Sequence, residues 1–245
     1  MKFRFTFLFL VFSTFCFIPL FAEENKSPNL TYALYPSMGT NIQYNAAPLP
    51  SAPSPVLFSF GLGFDLGFYE TFAFRPDMQF SGTYYLLQDD SALPSSPENR
   101  TAYVTSILLD MPVCYIIPIK KTQFYFGAGL ALYIRAAFLA SKVPSSEKES
   151  VTTINQYFWS KARFLYPSLQ LGWDFLTSKD SSFGFNAKIL FPLGNAGNSE
   201  AYSWFQDGII SLSVRFKFDI TSQDSHQYES KANSEENHQA KEIQN

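Results

Sequence analysis

The residues best suited to chemistry in this sequence are charged side chains that stand alone within apolar segments. Asp110 and Arg135 are two of them, and apolar residues flank each on both sides. A carboxylate or guanidinium in such a setting is costly unless an opposite charge neutralises it, so the set predicts internal ion pairs. Its members are five acidic and five basic residues: Asp65, Arg75, Asp77, Asp110, Arg135, Asp174, Lys188, Asp207, Arg215 and Lys217.

Residue types that commonly catalyse reactions or bind metals are scarce. Both histidines, His226 and His238, lie in a polar C-terminal stretch, and Cys114 is accompanied only by Cys16. General acid–base catalysis most often uses histidine, and zinc sites draw on histidine and cysteine. We therefore predict no catalytic residue, no metal site and no cofactor.

Residues 1–22 have the features of a secretory signal peptide. Lys2 and Arg4 precede an apolar run, and Ala22 offers a small residue at a cleavage point. A retained membrane anchor is the alternative, but the apolar run is shorter than the roughly 20 residues that span a bilayer. We expect the segment to be removed after export.

Loss of this leader changes the charge and the cysteine count. Removing Lys2 and Arg4 from the 18 basic residues leaves 16 against 21 acidic ones, a net charge of −5. The sequence contains no basic patch of the kind that would indicate a nucleic-acid partner. Cys114 is then alone, so no intramolecular disulfide is expected.

The main signal between residues 30 and 218 is alternation of apolar with small or polar residues. In 56–68 every even position is apolar, and the odd positions after Leu57 hold only Gly, Ser or Asp. Successive side chains of a strand point to opposite faces, so this segment predicts a strand with one apolar face. The same pattern occurs in seven further segments: 31–44, 72–86, 103–117, 124–138, 164–175, 183–191 and 208–218.

The connections between these eight strands alternate in length. The long ones are 45–55, 87–101, 140–155 and 192–203, and the short ones are 69–71, 118–122 and 176–182. In an up-and-down barrel every second connection lies at the same end. The prediction is an all-β protein over 23–218: an eight-stranded antiparallel transmembrane barrel with short periplasmic turns and four long extracellular loops. Residues 219–245 are predicted to form a disordered polar periplasmic tail.

Soluble β folds alternate in the same way and are the competing interpretation. A lipocalin-like barrel or a two-sheet sandwich would also bury its apolar face. Its outer face would need many charges, whereas the polar positions here are mostly Gly, Ser and Asn. Aromatic residues near strand ends favour interfacial belts of a membrane protein, and they are Tyr32, Tyr44, Tyr84, Tyr103, Trp159, Trp173 and Trp204.

A membrane barrel would direct the ten isolated charges into its interior. Eight strands leave little room beyond their own side chains. Five acids and five bases therefore predict a lumen closed by paired charges rather than an open pore. Asp207 and Lys217 could equally lie at the rims in water.

One pair of segments resembles a known superfamily. The run from Ser106 to Tyr115, SILLDMPVCY, is followed by a tight turn and then by FYFGAGL from Phe124 to Leu130. This pattern resembles the porin-like outer-membrane β-barrel superfamily of small eight-stranded proteins. The resemblance implies a location in the bacterial outer membrane more than an activity. Members serve as envelope structural proteins, small-solute channels or surface adhesins.

The resemblance also implies that the barrel assembly machinery recognises the last strand. Family members usually end on an aromatic residue of their last strand. Here the corresponding residues are Val214, Phe216 and Phe218, and 27 residues follow Phe218. The signal would therefore be read internally.

The functional hypothesis is a non-enzymatic outer-membrane protein with a structural or surface-interaction role through its long loops. Two alternatives stay open: a narrow channel for ions or small solutes, and a binder of lipid or a small hydrophobic ligand. The expected partners are outer-membrane lipid, the barrel assembly machinery and an extracellular ligand on the loops. We expect a monomer.

Overall fold

The computed structural model describes residues 30–44, 55–68, 71–88, 91–178, 181–195 and 206–220. The predicted signal peptide and the tail beyond residue 220 lie outside the described residues, so both stay predictions. Among the described residues, no helix combines the length and apolar character needed to span a membrane.

The described chain forms one antiparallel sheet that closes into a ring. Neighbouring strands follow one another in chain order around the ring, and the last strand pairs with the first. The strands are β1 (Thr31–Gln43), β2 (Val56–Phe68), β3 (Phe72–Phe74), β4 (Asp77–Gln88), β5 (Ser91–Ser95), β6 (Ala102–Ile119), β7 (Thr122–Leu139), β8 (Leu165–Leu176), β9 (Ser181–Leu190) and β10 (Ile209–Asp219).

The ring has eight positions because β3 and β4 are two halves of one strand. Arg75 and Pro76 interrupt it, and proline has no N–H to donate to the sheet. Both halves keep the same register against β2 and β6. Strand β5 pairs only with the end of β4 and extends the sheet beyond the ring. The predicted eight-stranded up-and-down barrel is therefore confirmed.

The register of the strands fixes the shape of the barrel. Following paired residues once around the ring leads from Gln123 of β7 back to β7 at Tyr133, an offset of ten residues. That path passes through Asp174, Gly184, Arg215, Ser37, Gly61, Gln79 and Leu108. A staggered closure of this kind requires strands that tilt by about 35–45° and an interior that side chains just fill.

The apolar faces of the strands point outward and the polar faces inward. Val56 and Phe58 are 66% and 65% exposed, whereas Arg75 and Asp110 are 0% exposed. A lipocalin-like barrel would have the opposite arrangement, with its apolar face inside. The outer wall therefore suits contact with lipid.

Exposed aromatic residues ring the outer wall at two levels. Tyr32, Tyr115 and Trp173 lie towards the short turns, and Tyr44 and Tyr103 lie towards the long loops. Two such belts are typical of membrane barrels, whose aromatic rings sit at the lipid headgroups. Trp159 was expected near a strand end but instead ends a helix in the third long loop.

That helix, α1 (Lys148–Trp159), is the main element that the alternation did not predict. The alternation predicts only a long connection over 140–155. Val151, Ile154 and Phe158 have helical spacing and form the buried side of α1. Strands β6 and β7 also extend to 18 residues each, longer than the predicted 15, and α1 packs against β7 at the long-loop end.

The lipid-facing wall predicts a depth-dependent response to charge. Leu171, outward and in the middle of β8, should lose about 2–4 kcal/mol of unfolding free energy on substitution by Lys, because the ammonium would face hydrocarbon. Leu176→Lys, at the turn end of the same strand, should lose at most about 1 kcal/mol. Denaturant unfolding in lipid vesicles measures both, and equal losses would contradict a membrane-embedded wall.

Candidate functional site: the charged lumen and its covered mouth

The lower lumen, towards the short turns, holds a cluster of five charges. Arg215 binds Asp174 with two nitrogens, Nε to Oδ1 at 3.0 Å and Nη2 to Oδ2 at 2.6 Å. Arg75 reaches Asp174 at 3.4 Å and Asp65 at 3.0 Å. Lys217 lies 3.1 Å from Asp65 and completes the cluster. Three cations thus share two buried carboxylates, and Asp219 lies 3.7 Å from Lys217 at the rim.

A tyrosine ring holds the two arginines of this cluster. The guanidinium groups of Arg75 and Arg215 lie 4.4 and 4.3 Å from the centre of the Tyr125 ring. Such contacts strengthen when water is excluded. A Cβ at Gly172 would overlap the Tyr125 side chain. Glycine on the polar face is therefore required to admit an aromatic ring into a narrow barrel.

The middle of the lumen is crossed by one lysine. Lys188 of β9 donates to Asp77 Oδ1 at 2.5 Å and to Asp110 Oδ2 at 2.8 Å. β9 and β4 are four positions apart in the ring of eight, so the pair of Lys188 and Asp77 joins opposite walls of the lumen. Ser168 donates to the second oxygen of Asp110 at 2.6 Å, and Gln79 donates to the second oxygen of Asp77 at 2.9 Å.

The upper lumen is organised around Arg135. Its guanidinium lies 4.1 Å from the ring centre of Phe158 and 4.7 Å from that of Tyr133. Asp207 is 3.7 Å away, and Arg135 Nη2 donates to the carbonyl of Arg163 at 3.1 Å. Because Phe158 belongs to α1, this arginine connects the lumen to the third long loop.

Helix α1 covers the mouth of the barrel on the inner side of the extended strands. Ile154 and Phe158 pack in one buried cluster with Tyr85 of β4. β8 pairs with β7 only as far as Leu132, which leaves the rest of that edge of β7 without a neighbouring strand. Asn155 takes its place at Ala137: its Oδ1 accepts from the backbone N–H at 2.9 Å, and its Nδ2 donates to the backbone oxygen at 3.0 Å.

The structure brings the predicted charges together in three groups. Asp65, Arg75, Asp174 and Arg215 meet in the lower lumen, Asp77, Asp110 and Lys188 in the middle, and Arg135 lies above them. Asp207, also considered as a rim residue in water, is 1% exposed beside Arg135, whereas Lys217 does lie near the rim. The predicted assembly residues Val214, Phe216 and Phe218 point outward along β10.

Sequence reasoning missed the tyrosines of the interior. Tyr125, Tyr133 and Tyr166 are all less than 5% exposed and surround the arginines. Their position in the alternation could have revealed them, because each lies two residues from a predicted inward residue: Gly127, Arg135 and Ser168. Aromatic side chains at polar-face positions therefore indicate the packed lumen rather than an interfacial belt.

The closed ring, the lipid-facing apolar wall and the ion-paired interior together define a transmembrane β-barrel.

No protein-family model and no curated protein matches the sequence. The structure is similar to Neisserial surface protein A (9% identity, 79% of this chain and 99% of that chain covered, TM-score 0.45). It is also similar to the outer membrane protein OprG from Pseudomonas aeruginosa (9% identity, 78% and 95% covered, TM-score 0.49). A designed transmembrane β-barrel scores 0.42 at 7% identity, with 80% and 98% covered. At these scores the likeness adds nothing to what the strand pairing establishes.

Removal of the shared carboxylate should destabilise the barrel. Asp174→Asn leaves Arg215 buried without a counter-charge and leaves Arg75 with Asp65 as its carboxylate partner. The unfolding free energy should therefore fall by about 3–5 kcal/mol. Asp219→Asn is the matched control at the rim and should lose at most about 1 kcal/mol. Denaturant unfolding in vesicles compares them, and similar losses would show that the lower cluster does not support the fold.

Asn155 should hold α1 in the mouth. Asn155→Ala leaves a buried backbone N–H and C=O of Ala137 without partners, at a cost of about 1–3 kcal/mol. Local opening of α1 should then be about tenfold more frequent, and trypsin should cleave correspondingly faster after Lys148 and Lys161. Gln156→Ala, on the exposed side of the helix, serves as the control. Unchanged cleavage of the Asn155 variant would argue against this anchoring role.

Proposed function

We propose that this protein is a closed, non-enzymatic barrel of the bacterial outer membrane that acts through its long loops. In this proposal residues 1–22 are a cleavable signal peptide, and the short turns face the periplasm. The outer wall contacts membrane lipid. The loops and α1 form the surface available to partners outside the cell, in a structural or surface-interaction role.

The blocked lumen is the main observation that supports this proposal. Side chains from different walls meet at three successive levels: at Asp174, at Lys188 and at Arg135. Lys188 meets Asp77 of the opposite wall, and α1 covers the mouth above Arg135. A channel would need a continuous wet path past these contacts, and each buried pair is costly to separate. The loops are then the part of the molecule best placed to interact.

The same contacts support a non-enzymatic role. Asp65, Asp77, Asp110 and Asp174 are each held by a guanidinium or ammonium group inside the wall. A general acid or base must instead come within hydrogen-bond reach of a substrate. The described lumen offers these carboxylates no such approach.

The last strand supports the proposed contact with the assembly machinery. β10 pairs with both β9 and β1 and so closes the ring. Phe216 and Phe218 are exposed on its outer side. A factor that recognises these residues would act on the strand whose pairing completes the barrel.

Bilayer recordings test the closed lumen. Folded protein, identified by a gel mobility that shifts on boiling, should show no stable conductance steps in a planar bilayer at high salt. A general porin reconstituted in the same way provides the positive control. Sustained openings of porin size would overturn the proposal and favour the channel alternative.

A further inference from the structure

A polar crevice of about 610 Å³ lies between the second and third long loops. One side is formed by the segment around Arg100, and the other by the segment that leads from β7 into α1. Its lining combines charged, hydroxyl and apolar groups, among them Glu98, Arg100, Ser141, Lys142, Val143 and Glu147.

The four charges of this crevice form no close ion pairs with one another. Among the described residues, neither Arg100 nor Lys142 forms an ion pair with Glu98 or Glu147. Opposite charges that share one crevice normally come together unless other contacts hold them apart. The structure shows such contacts on both sides.

Backbone oxygens and an aromatic ring hold Arg100 in place. Its guanidinium donates to the carbonyl of Ser141 at 2.9 Å and to that of Pro97, and it lies 5.3 Å from the centre of the Tyr84 ring. A guanidinium held in this way is a fixed cation in the lining of the crevice.

The acidic groups are held separately. Glu147 accepts a hydrogen bond from Ser150 at 2.7 Å. The pKa of Glu98 lies below its ordinary value because its carboxylate accepts from its own backbone N–H and from Ser96, with a smaller contribution from the positive charge of Arg100. Glu98 is therefore charged at neutral pH. Lys142 is exposed on a left-handed backbone position, with φ of 68°.

We propose that this crevice binds a phosphoethanolamine group, with the phosphate at Arg100 and Lys142 and the ammonium at Glu98 and Glu147. A purely anionic ligand would meet two carboxylates, and a purely cationic one would meet two bases. A ligand with both charges on a short linker satisfies all four groups, while Val143 can contact its methylenes. The inference rests on the proposed function, in which these loops face outward.

The place of the crevice connects this chemistry to the membrane surface. Tyr84, which lies under Arg100, packs edge-on against Tyr103 of the upper aromatic belt, with ring centres 5.4 Å apart. Such belts mark the level of lipid headgroups. The phosphoethanolamine group could come from a lipid headgroup or from a soluble compound, and the experiment separates these sources.

Calorimetric titration of the full-length folded protein in detergent micelles tests the site. Soluble phosphoethanolamine should bind at least tenfold more tightly than inorganic phosphate or ethanolamine alone. Equal affinity for the zwitterion and for phosphate would overturn the proposal. In nanodiscs, phosphatidylethanolamine should abolish the titration if the headgroup is the source, whereas phosphatidylglycerol should leave it unchanged. Titration that persists in both lipids assigns the site to a soluble ligand.

Three variants locate the binding. Lys142→Gln should weaken phosphoethanolamine binding at least fivefold, and Glu98→Gln should remove the preference over phosphate. Lys121→Gln, at a short turn, should bind as the unchanged protein does. Unaltered binding by both loop variants would overturn the assignment. Absence of binding in a barrel that stays folded and non-conducting would refute this inference alone, whereas porin-like conductance would refute the proposed function.

Discussion

The charged side chains that meet across the lumen constrain everything else in this structure. Eight strands that close with an offset of ten residues leave an interior that is narrow and shielded from water. Arg75, Lys188 and Arg215 can lie there only because carboxylates stand within 3.4 Å of each. Each pair joins different strands, so the contacts depend on the register around the ring. A shift of one residue in any strand would turn its inward charges towards lipid.

The interior also explains the composition of the strands. Tyrosine rings fill the space between guanidinium groups, and glycines such as Gly172 leave room for them. The polar faces therefore carry glycine and serine beside a few large residues, rather than the many charges of a water-exposed surface. The outer faces are mostly apolar because lipid, unlike water, offers nothing for a polar group to bind.

One residue links the interior to the loops. Arg135 lies between Tyr133 of the wall and Phe158 of α1. Asn155 meanwhile supplies the hydrogen bonds that a neighbouring strand would have made to β7. The third loop is thus held over the mouth by an arginine–aromatic contact and by strand-like hydrogen bonds, two kinds of interaction that also build the barrel. The second loop is tied to it through Arg100 and Ser141.

Local pattern was enough to predict much of the barrel. Strand β2 has the predicted bounds 56–68, and nine of the ten isolated charges are buried, with Lys217 near the rim. The helix could not be found in this way. Val151, Ile154 and Phe158 have an apolar surface to pack on only because β6 and β7 extend beyond the membrane wall. The short strand β5 likewise depends on the free end of β4.

The sequence by itself determined which face of each strand carries charge, because side chains alternate with a period of two whatever the strand pairs with. Only the tertiary structure decided which charge meets which. Asp174 binds Arg215, 41 residues away, and Arg75, 99 residues away. Those distances along the chain carry no local signal. The closure of the ring and its stagger determine these pairings, because they decide which inward residues lie at the same level of the lumen.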